Sequence, residues 1–576
     1  MSVQALRARE RERAAAPVRV ADYMADFVHA QGVRRIFMLS GTGSIHLDDA
    51  FAAHPEIRYA CARHEAAAVV MAEGAAKLSG GLGVVVVTTG PGGINAIGGV
   101  SEAWVDAVPV LVISGQVPTR HIAPTRYFGV QGFGIVDAVR RFTKYAALVS
   151  DPASIRFHLE RAIHEARSGR PGPVWLDVPA DVQAAHVEPD ALEPFVPDAD
   201  DSPPDPPPAA LDQIATMLRS ARRPLVLFGQ GVLQAGALPA LRRLLDLTGA
   251  PAMASRQAHA VWPLSTPGYL GQAGIRGRRH AGIVMRRADL VLSLGCSLGS
   301  AVVGEDLDGF DPDATVVMVD VDEAELVKPG LPVDIPLRAD VGAVLAGLVA
   351  RLERHGAADV AAWTEECEEL AAASPAVPPE WRSDPINSYH LVERLEAHTG
   401  PRHVFVSDAG SSYYVTGQAL RFENGQRELT SGAYATMGVA LPMAIGAAFA
   451  DPDARVVVVT GDGSIELNIQ ELRTLSQHGL DVKVLVINNG GYASIRDSQD
   501  AMCGGRYTDD QSVLDFRKVA DAFDLPFHLI EREAQLDAEL SGVLDTRGPA
   551  LVEVVCDTEQ EMILPAFGTA ALEAVR

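Results

Sequence analysis

Two glycine-rich turns and a pair of asparagines carry the chemistry this sequence could perform. In Gly461-Asp462-Gly463-Ser464 a carboxylate stands between two glycines, directly after the β-branched run Arg455-Val456-Val457-Val458-Val459-Thr460. Such a run reads as a buried parallel strand, so Asp462 falls at a strand end. A hard carboxylate oxygen suits Mg²⁺ there. Gly461 and Gly463 let the chain bend tightly and bring N–H groups against an anion. A helix predicted over Glu466 to Gln477 starts at the same place, and its N-terminal dipole favours a phosphate. A second buried strand, Val482 to Ile487, ends on Asn488-Asn489-Gly490-Gly491, where amide oxygens could complete a metal shell. Asp462 and Asn489 are 27 positions apart, which suits one helical crossover between neighbouring parallel strands.

Gly-Asp-Gly alone is an ordinary strand-to-helix turn. Joined to Asn-Asn at this distance, it resembles the thiamine diphosphate (ThDP) signature. The resemblance implies that Asp462, Asn489 and the backbone carbonyl of Gly491 ligate Mg²⁺, which holds the diphosphate. Arg63-His64-Glu65 precedes the apolar helix Ala66-Ala67-Ala68-Val69-Val70-Met71. From the residues alone Glu65 reads as a helix cap or dipole partner as readily as a functional acid, and His64 as a structural histidine as readily as a substrate contact. The resemblance makes Glu65 the acid that bonds the aminopyrimidine ring and favours the imino tautomer, whose nitrogen takes the proton from thiazolium C2. Met437, in Ser431-Gly432-Ala433-Tyr434-Ala435-Thr436-Met437-Gly438, reads in isolation as core filler. In the family its place is that of the apolar wedge between the cofactor rings, and the Ala435 carbonyl accepts from the amino group. Asp408-Ala409-Gly410-Ser411-Ser412, an Asx or Ser turn by its residues, resembles the second diphosphate-contacting turn.

The resemblance thus gives a cofactor set of Glu65, Gly410, Ser411, Ser412, Ala435, Met437, Gly461, Asp462, Gly463, Ser464, Asn489, Gly491 and Tyr492. Gln116 stands beside Glu65 as the second catalytic candidate; Lys144, Tyr492 and Gln499 are further candidates for the substrate wall. From about residue 17 the chain is similar to acetolactate-synthase-like enzymes, with Thr89-Gly90-Pro91-Gly92, Ser114-Gly115-Gln116-Val117, Thr143-Lys144 and Val319-Asp320-Val321-Asp322 as further matches. It departs from them at Gly295-Cys296-Ser297-Leu298-Gly299-Ser300-Ala301, where the family's arginine-containing flavin and substrate segment is missing, and after Asn489, where the usual acidic stretch is absent. In these respects it is more similar to the flavin-independent branch of sugar-modifying pathways.

The expected activity is decarboxylation of a 2-oxo acid, with pyruvate as donor, and carboligation of the acyl-anion equivalent to a carbonyl acceptor such as a keto-sugar. Alternatives are acetolactate synthase, simple 2-oxo-acid decarboxylase, 2-hydroxyacyl-CoA lyase and cyclic-diketone hydrolase. A catalytically dead scaffold homologue is disfavoured by the presence of Glu65, Asp462 and Asn489 together. The expected cofactors are ThDP and Mg²⁺; the Gly271 to Gly277 loop admits FAD, while the missing arginine segment argues against it. Arg276, Arg278 and Arg279 read as a solvated loop rather than as a CoA phosphate site. The family's shared site implies a homodimer at least, with a tetramer beyond it.

Composition bounds these readings. At 576 residues the chain is too long for one core, and about 150 residues per domain suggests three or four. A formal charge of −25 and a pI of about 5.0 argue against nucleic acid or an anionic membrane as partner. Five scattered cysteines without CxxC spacing fit a reducing cytoplasm. The glycine-punctuated alternation of strands and helices is that of α/β folding with doubly wound parallel sheets. The expected divisions are an N-terminal arm at 1–16, a pyrimidine-binding domain at 17–188, a linker at 189–208, a central domain at 209–354, a connector at 355–380 and a diphosphate-binding domain at 381–576.

Overall fold

Eighteen strands of the computed structural model form three six-stranded sheets. The structure describes residues 17–198, 203–304, 307, 310, 313–508 and 513–563; the expected N-terminal arm lies outside these, as does part of the linker. The first sheet holds β1 (Arg35–Leu39), β2 (Arg58–Cys61), β3 (Gly83–Val87), β4 (Val110–Gln116), β5 (Tyr145–Leu148) and β6 (Val174–Pro179) in the order β2-β1-β3-β4-β6-β5, all pairs parallel. The second holds β7 (Pro224–Phe228), β8 (Ala252–Ala254), β9 (Tyr269–Gln272), β10 (Leu290–Leu294), β11 (Thr315–Asp320) and β12 (Ile335–Arg338) in the order β9-β8-β7-β10-β11-β12. The third holds β13 (His403–Ser407), β14 (Arg427–Thr430), β15 (Arg455–Gly461), β16 (Val482–Asn488), β17 (Phe527–Ile530) and β18 (Ala550–Val555) in the order β14-β13-β15-β16-β18-β17. The first and third sheets share one topology. The second has the dinucleotide-fold order.

The sequence dictates burial on both faces of these strands. Val84 to Val87, Val110 to Ile113 and Val456 to Val459 are apolar without alternation and are almost wholly buried, as parallel strands covered on both sides require. Around the first sheet one core cluster gathers Phe51, Ile36, Leu111 and Leu176. The two faces of the second sheet carry separate clusters, one with Phe228 and Leu292, the other with Leu227 and Val291.

Six helices matter to the site: α1 (Glu65–Ser79), α2 (Pro91–Val105), α3 (Gly410–Ala419), α4 (Ala440–Ala450), α5 (Leu472–His478) and α6 (Ala493–Cys503). The helix expected over Glu466 to Gln477 is broken. One turn spans Asp462–Ile465, a 3₁₀ stretch follows over Glu466–Glu471 with non-helical Asn468, and α5 completes the crossover. Asn468 competes with the helical pattern by donating its side-chain amide to the Gly438 carbonyl at 2.8 Å.

The chain forms two compact units. The first comprises the described residues of Met1–Asp201 with Gly438–Val456 and Leu467–Val482; the second comprises those of Ser202–Met437, Val457–Glu466 and Lys483–Arg576. Thus α4 and α5, although they follow residue 381, pack in the first unit. In the second unit a buried Arg256 ties the central sheet's loop to β13 and β14. It donates to both carboxylate oxygens of Glu428 at 2.7 Å, to Ser407 Oγ at 3.0 Å and to Thr416 Oγ1 at 2.8 Å. Burial alone would raise the Glu428 pKa, but Arg256 and His259 override it and hold the carboxyl at about 2. Ser407 is the residue before Asp408, so this clamp fixes the end of β13.

Candidate active site

In the first unit Glu65 is the first residue of α1 and is buried. His64 is the N-cap, and its Nδ1 accepts the Ala66 N–H at 3.2 Å, which gives the histidine a structural partner and leaves the Glu65 carboxylate free of capping duty. Asn95, in the first turns of α2, donates Nδ2 to Glu65 Oε2 at 3.1 Å. The glycine turn before α2 lets this approach happen: a Cβ on Gly92 would lie 2.9 Å from Thr88 Cγ2 and 3.3 Å from Glu65 Oε1. Arg63 N–H donates to buried Glu471 at 2.7 Å, and Thr474 holds the other oxygen of that carboxylate at 2.8 Å.

Gln116 ends β4 and is 3% exposed. Its Nε2 donates to Asp177 Oδ2 at 2.9 Å and to the Phe133 carbonyl at 2.7 Å, while Oε1 accepts the Val117 N–H at 2.9 Å. Asp177 also accepts from Ser114 Oγ at 2.6 Å, and burial pushes its carboxyl up to about 7. These bonds tie the end of β4 to Asp177 and to Phe133, at the far end of the segment 117–133. Lys144 donates to the Ser168 carbonyl, and half-buried Gln499 donates Nε2 to Thr508 Oγ1.

In the second unit the ends of β13, β15 and β16 converge. Asp462, 2% exposed, accepts the Gly491 N–H at 2.8 Å through Oδ2 and the Gly463 N–H at 2.8 Å through Oδ1. Burial raises its pKa, with the backbone donors opposing; a cation bound here would favour the charged form. Asn489 is buried and donates Nδ2 to Ser411 Oγ at 3.2 Å. The Asp462 carboxylate, the Asn489 amide and the Gly491 carbonyl are hard oxygen donors of the kind Mg²⁺ takes. Gly410, Ser411 and Ser412 begin the ten-residue α3, whose first turn carries no acid, so their N–H groups could meet phosphate oxygens.

Asp408, by its residues an ordinary Asx turn, is a hub. It accepts from Ser412 Oγ at 3.1 Å, Thr460 Oγ1 at 3.1 Å, Ser464 Oγ at 2.7 Å and its neighbour Ala409 N–H at 2.8 Å. One buried carboxylate therefore ties the first turn of α3 to the Asp462 turn. The glycines work differently from expectation. Neither Gly461 nor Gly463 has a positive φ, whereas Gly490 at 75° and Gly491 at 103° do. Gly461 has ordinary room for a Cβ, while one on Gly463 would lie 2.6 Å from the Tyr492 ring. Gly463 is thus required by close approach and Gly490-Gly491 by conformation.

Ala435 adopts φ 51°, a left-handed conformation that costs a non-glycine residue roughly 1 kcal/mol or more. The turn is held by the Thr436 N–H on Ser431 Oγ at 2.9 Å and the Ala435 N–H on the Ser431 carbonyl at 3.2 Å. Met437 follows it and is half-buried.

In the Gly271 to Gly277 loop two backbone amides have partners within the fold. Its Ile275 N–H bonds the Ala301 carbonyl at 2.9 Å and its Gly277 N–H the Gly274 carbonyl at 2.8 Å; a Cβ on Gly274 would lie 2.2 Å from the Ala301 carbonyl oxygen. The solvated-arginine expectation is also corrected. Arg278 is buried and donates to the Leu420 carbonyl, Arg276 stacks 4.5 Å from the Tyr414 ring centroid and Arg279 5.5 Å from that of Trp381. No described helix is long and apolar enough to cross a membrane.

Three family models match: the N-terminal TPP binding domain of thiamine pyrophosphate enzymes over residues 18–140, the central domain over 211–348 and the C-terminal TPP binding domain over 408–554. Among curated relatives, the acetolactate synthase isozyme 1 large subunit of Escherichia coli (strain K12) is 31% identical over 94% of this chain and 94% of its own. The chloroplastic acetolactate synthase of Arabidopsis thaliana is 30% identical over 96% of this chain and 84% of its own. With three α/β domains matched in order and likeness over nearly its whole length, the chain belongs to the thiamine diphosphate-dependent, acetolactate-synthase-like enzymes.

Proposed function

We propose that the enzyme decarboxylates a 2-oxo acid, with pyruvate as donor, and joins the resulting acyl-anion equivalent to a carbonyl acceptor. The observation that carries this reading is the Asp462–Gly491 closure beside Asn489, a buried anionic oxygen site at two adjacent strand ends. Bound ThDP supplies an acidic carbon at which a 2-oxo acid can lose CO₂ and become nucleophilic. Asp462, Asn489 and the Gly491 carbonyl would hold Mg²⁺, and the first-turn amides of Gly410, Ser411 and Ser412 the diphosphate. Gly461, Gly463 and Ser464 shape that turn, with Tyr492 against it. Glu65, steadied by Asn95, would hold a proton at the aminopyrimidine ring nitrogen. Met437 would press between the two rings, and the left-handed Ala435 would present its carbonyl to the amino group.

Two acceptors are favoured by different observations. The absent arginine segment after β10 favours a keto-sugar; the full-length likeness to acetolactate synthases favours a second pyruvate. The missing arginine segment at 295–301 supports activity without flavin. Purified enzyme with ThDP and Mg²⁺ should be offered pyruvate with keto-sugars, aldehydes or pyruvate alone, and the products read by mass spectrometry. The expected product is an acceptor enlarged by a two-carbon unit. Pyruvate converted to free aldehyde with every acceptor would reduce the enzyme to a decarboxylase. A yellow protein that loses activity when stripped of flavin and regains it on addition would overturn the flavin-independent reading.

A further inference from the structure

Behind the Asp462 turn stands Arg496, in the first turns of α6 and 3% exposed. Its Nη1 donates to the Gly490 carbonyl at 2.8 Å and its Nη2 to the Asn489 carbonyl at 2.8 Å and the Thr558 carbonyl at 3.3 Å. The two consecutive left-handed residues Gly490 and Gly491 reverse the backbone here. The Gly491 N–H goes to Asp462, while the carbonyls of the two preceding residues are gripped by one guanidinium. A planar fork can span successive carbonyls in fixed geometry, which a lysine ammonium cannot. The chain is strongly acidic, with a formal charge of −25, so a fixed buried cation beside an anion site is electrostatically significant.

We propose that Arg496 is the positioning residue of the cation–diphosphate site: its fork withdraws the Asn489 and Gly490 carbonyls from the cation, leaving the Asn489 side chain and the Gly491 carbonyl as ligands, and its charge favours the diphosphate. This rests on the placement of Mg²⁺ and diphosphate at Asp462 and Asn489. Carbonyls held by a guanidinium are poor metal ligands because one lone pair of each oxygen is engaged and the fixed positive charge beside them repels a cation. The turn then offers the oxygens that Asp462 faces.

The test is calorimetric titration of apo-protein with ThDP, and separately with inorganic pyrophosphate, at saturating Mg²⁺, for the parent, Arg496→Met, Arg496→Lys and Asp462→Ala, with a thermal melt of each as the folding check. Loss of charge-assisted hydrogen bonds of this kind predicts ThDP affinity lowered roughly 10- to 100-fold in Arg496→Met. Pyrophosphate binding should weaken in parallel, and Arg496→Lys should recover part of the affinity while needing more Mg²⁺ for half-saturation. Parent-like ThDP binding in folded Arg496→Met, together with loss in Asp462→Ala, would overturn the role of Arg496 alone. Parent-like binding in Asp462→Ala would overturn the site itself. If Arg496→Met does not fold, Arg496→Lys decides: an unchanged Mg²⁺ requirement overturns the proposal and a raised one supports it.

Discussion

Gly74 and Gly446 face each other's helix backbones at the crossing of α1 and α4. A Cβ on Gly74 would lie 2.2 Å from the Met443 carbonyl oxygen, and one on Gly446 would lie 1.9 Å from that of Met71. Backbone atoms cannot yield as a flexible side chain can, so an alanine at either place must push the helices apart. Since α1 begins at Glu65, the packing of the whole helix sets where that carboxylate stands.

Gly446→Ala should therefore destabilise the protein by about 1–3 kcal/mol, the usual range for overpacking a filled interior. Gly461→Ala provides the contrast, because Gly461 has a negative φ and its nearest obstacle to a Cβ is Ser464 Cβ at 3.9 Å. Thermal denaturation of the two apo-proteins checks this. Equal melting temperatures would show that the glycine crossing is not tight.

Glu65→Gln should leave ThDP binding within a few-fold of the parent yet slow turnover by roughly 10²–10⁴, the usual weight of a positioned proton-transfer group. The amide retains a hydrogen bond to Asn95 but cannot hold the proton that favours the imino tautomer. Hydrogen–deuterium exchange at cofactor C2 gives a direct reading. Unchanged exchange in the variant would remove Glu65 from the mechanism.

Asp177 gives a pH dependence with a definite sign. Its folded-state pKa is raised by burial to about 7 from the ordinary 3.8, so folding favours its neutral form. That contribution is complete below about pH 4 and is lost as pH rises toward 7. Asp177→Asn removes the ionisation, so the parent's stability relative to the variant should fall between pH 4 and pH 8 by on the order of 2–4 kcal/mol. Parallel melting curves across that range would show that Asp177 does not titrate on folding.

The parts of the fold written as local patterns were legible in the sequence. Arg455 to Thr460 and Val482 to Ile487 are strands to within one residue of the bounds their apolar runs predict, because burial on both faces leaves a continuous signal. The Asp462 and Asn489 turns were legible because two residue types at one spacing define them. Asp408 was not, since its partners Thr460 and Ser464 come from another strand end and only the fold brings them to it. Nor was the cluster in which Lys77 bridges Glu73 and Asp106 at 2.6 Å each, with Glu102 beside them; burial pushes Glu73 up to about 8. The burial of Arg278 was not legible either, for the same reason. An arginine among glycines looks solvated until the Leu420 carbonyl and a neighbouring segment cover it.

The last prediction concerns assembly. Glu65 belongs to the first compact unit and Asp462 to the second, and the proposed cofactor must touch both. We propose that each site is shared by two chains, with the first domain of one subunit facing the third domain of another, which makes a homodimer with two equivalent sites the minimum active species. Glu65→Gln and Asp462→Ala are each expected to be inactive alone. Mixed as exchanging subunits, they should recover activity: each heterodimer joins the intact Glu65 of one chain to the intact Asp462 of the other at one site and concentrates both lesions at the second. Random exchange of equal amounts makes half of the dimers mixed, so recovery should approach about a quarter of parent activity. Native mass spectrometry establishes that exchange has occurred. Heterodimers present with activity at the level of the single variants would show that Glu65 and Asp462 of the same chain form the site.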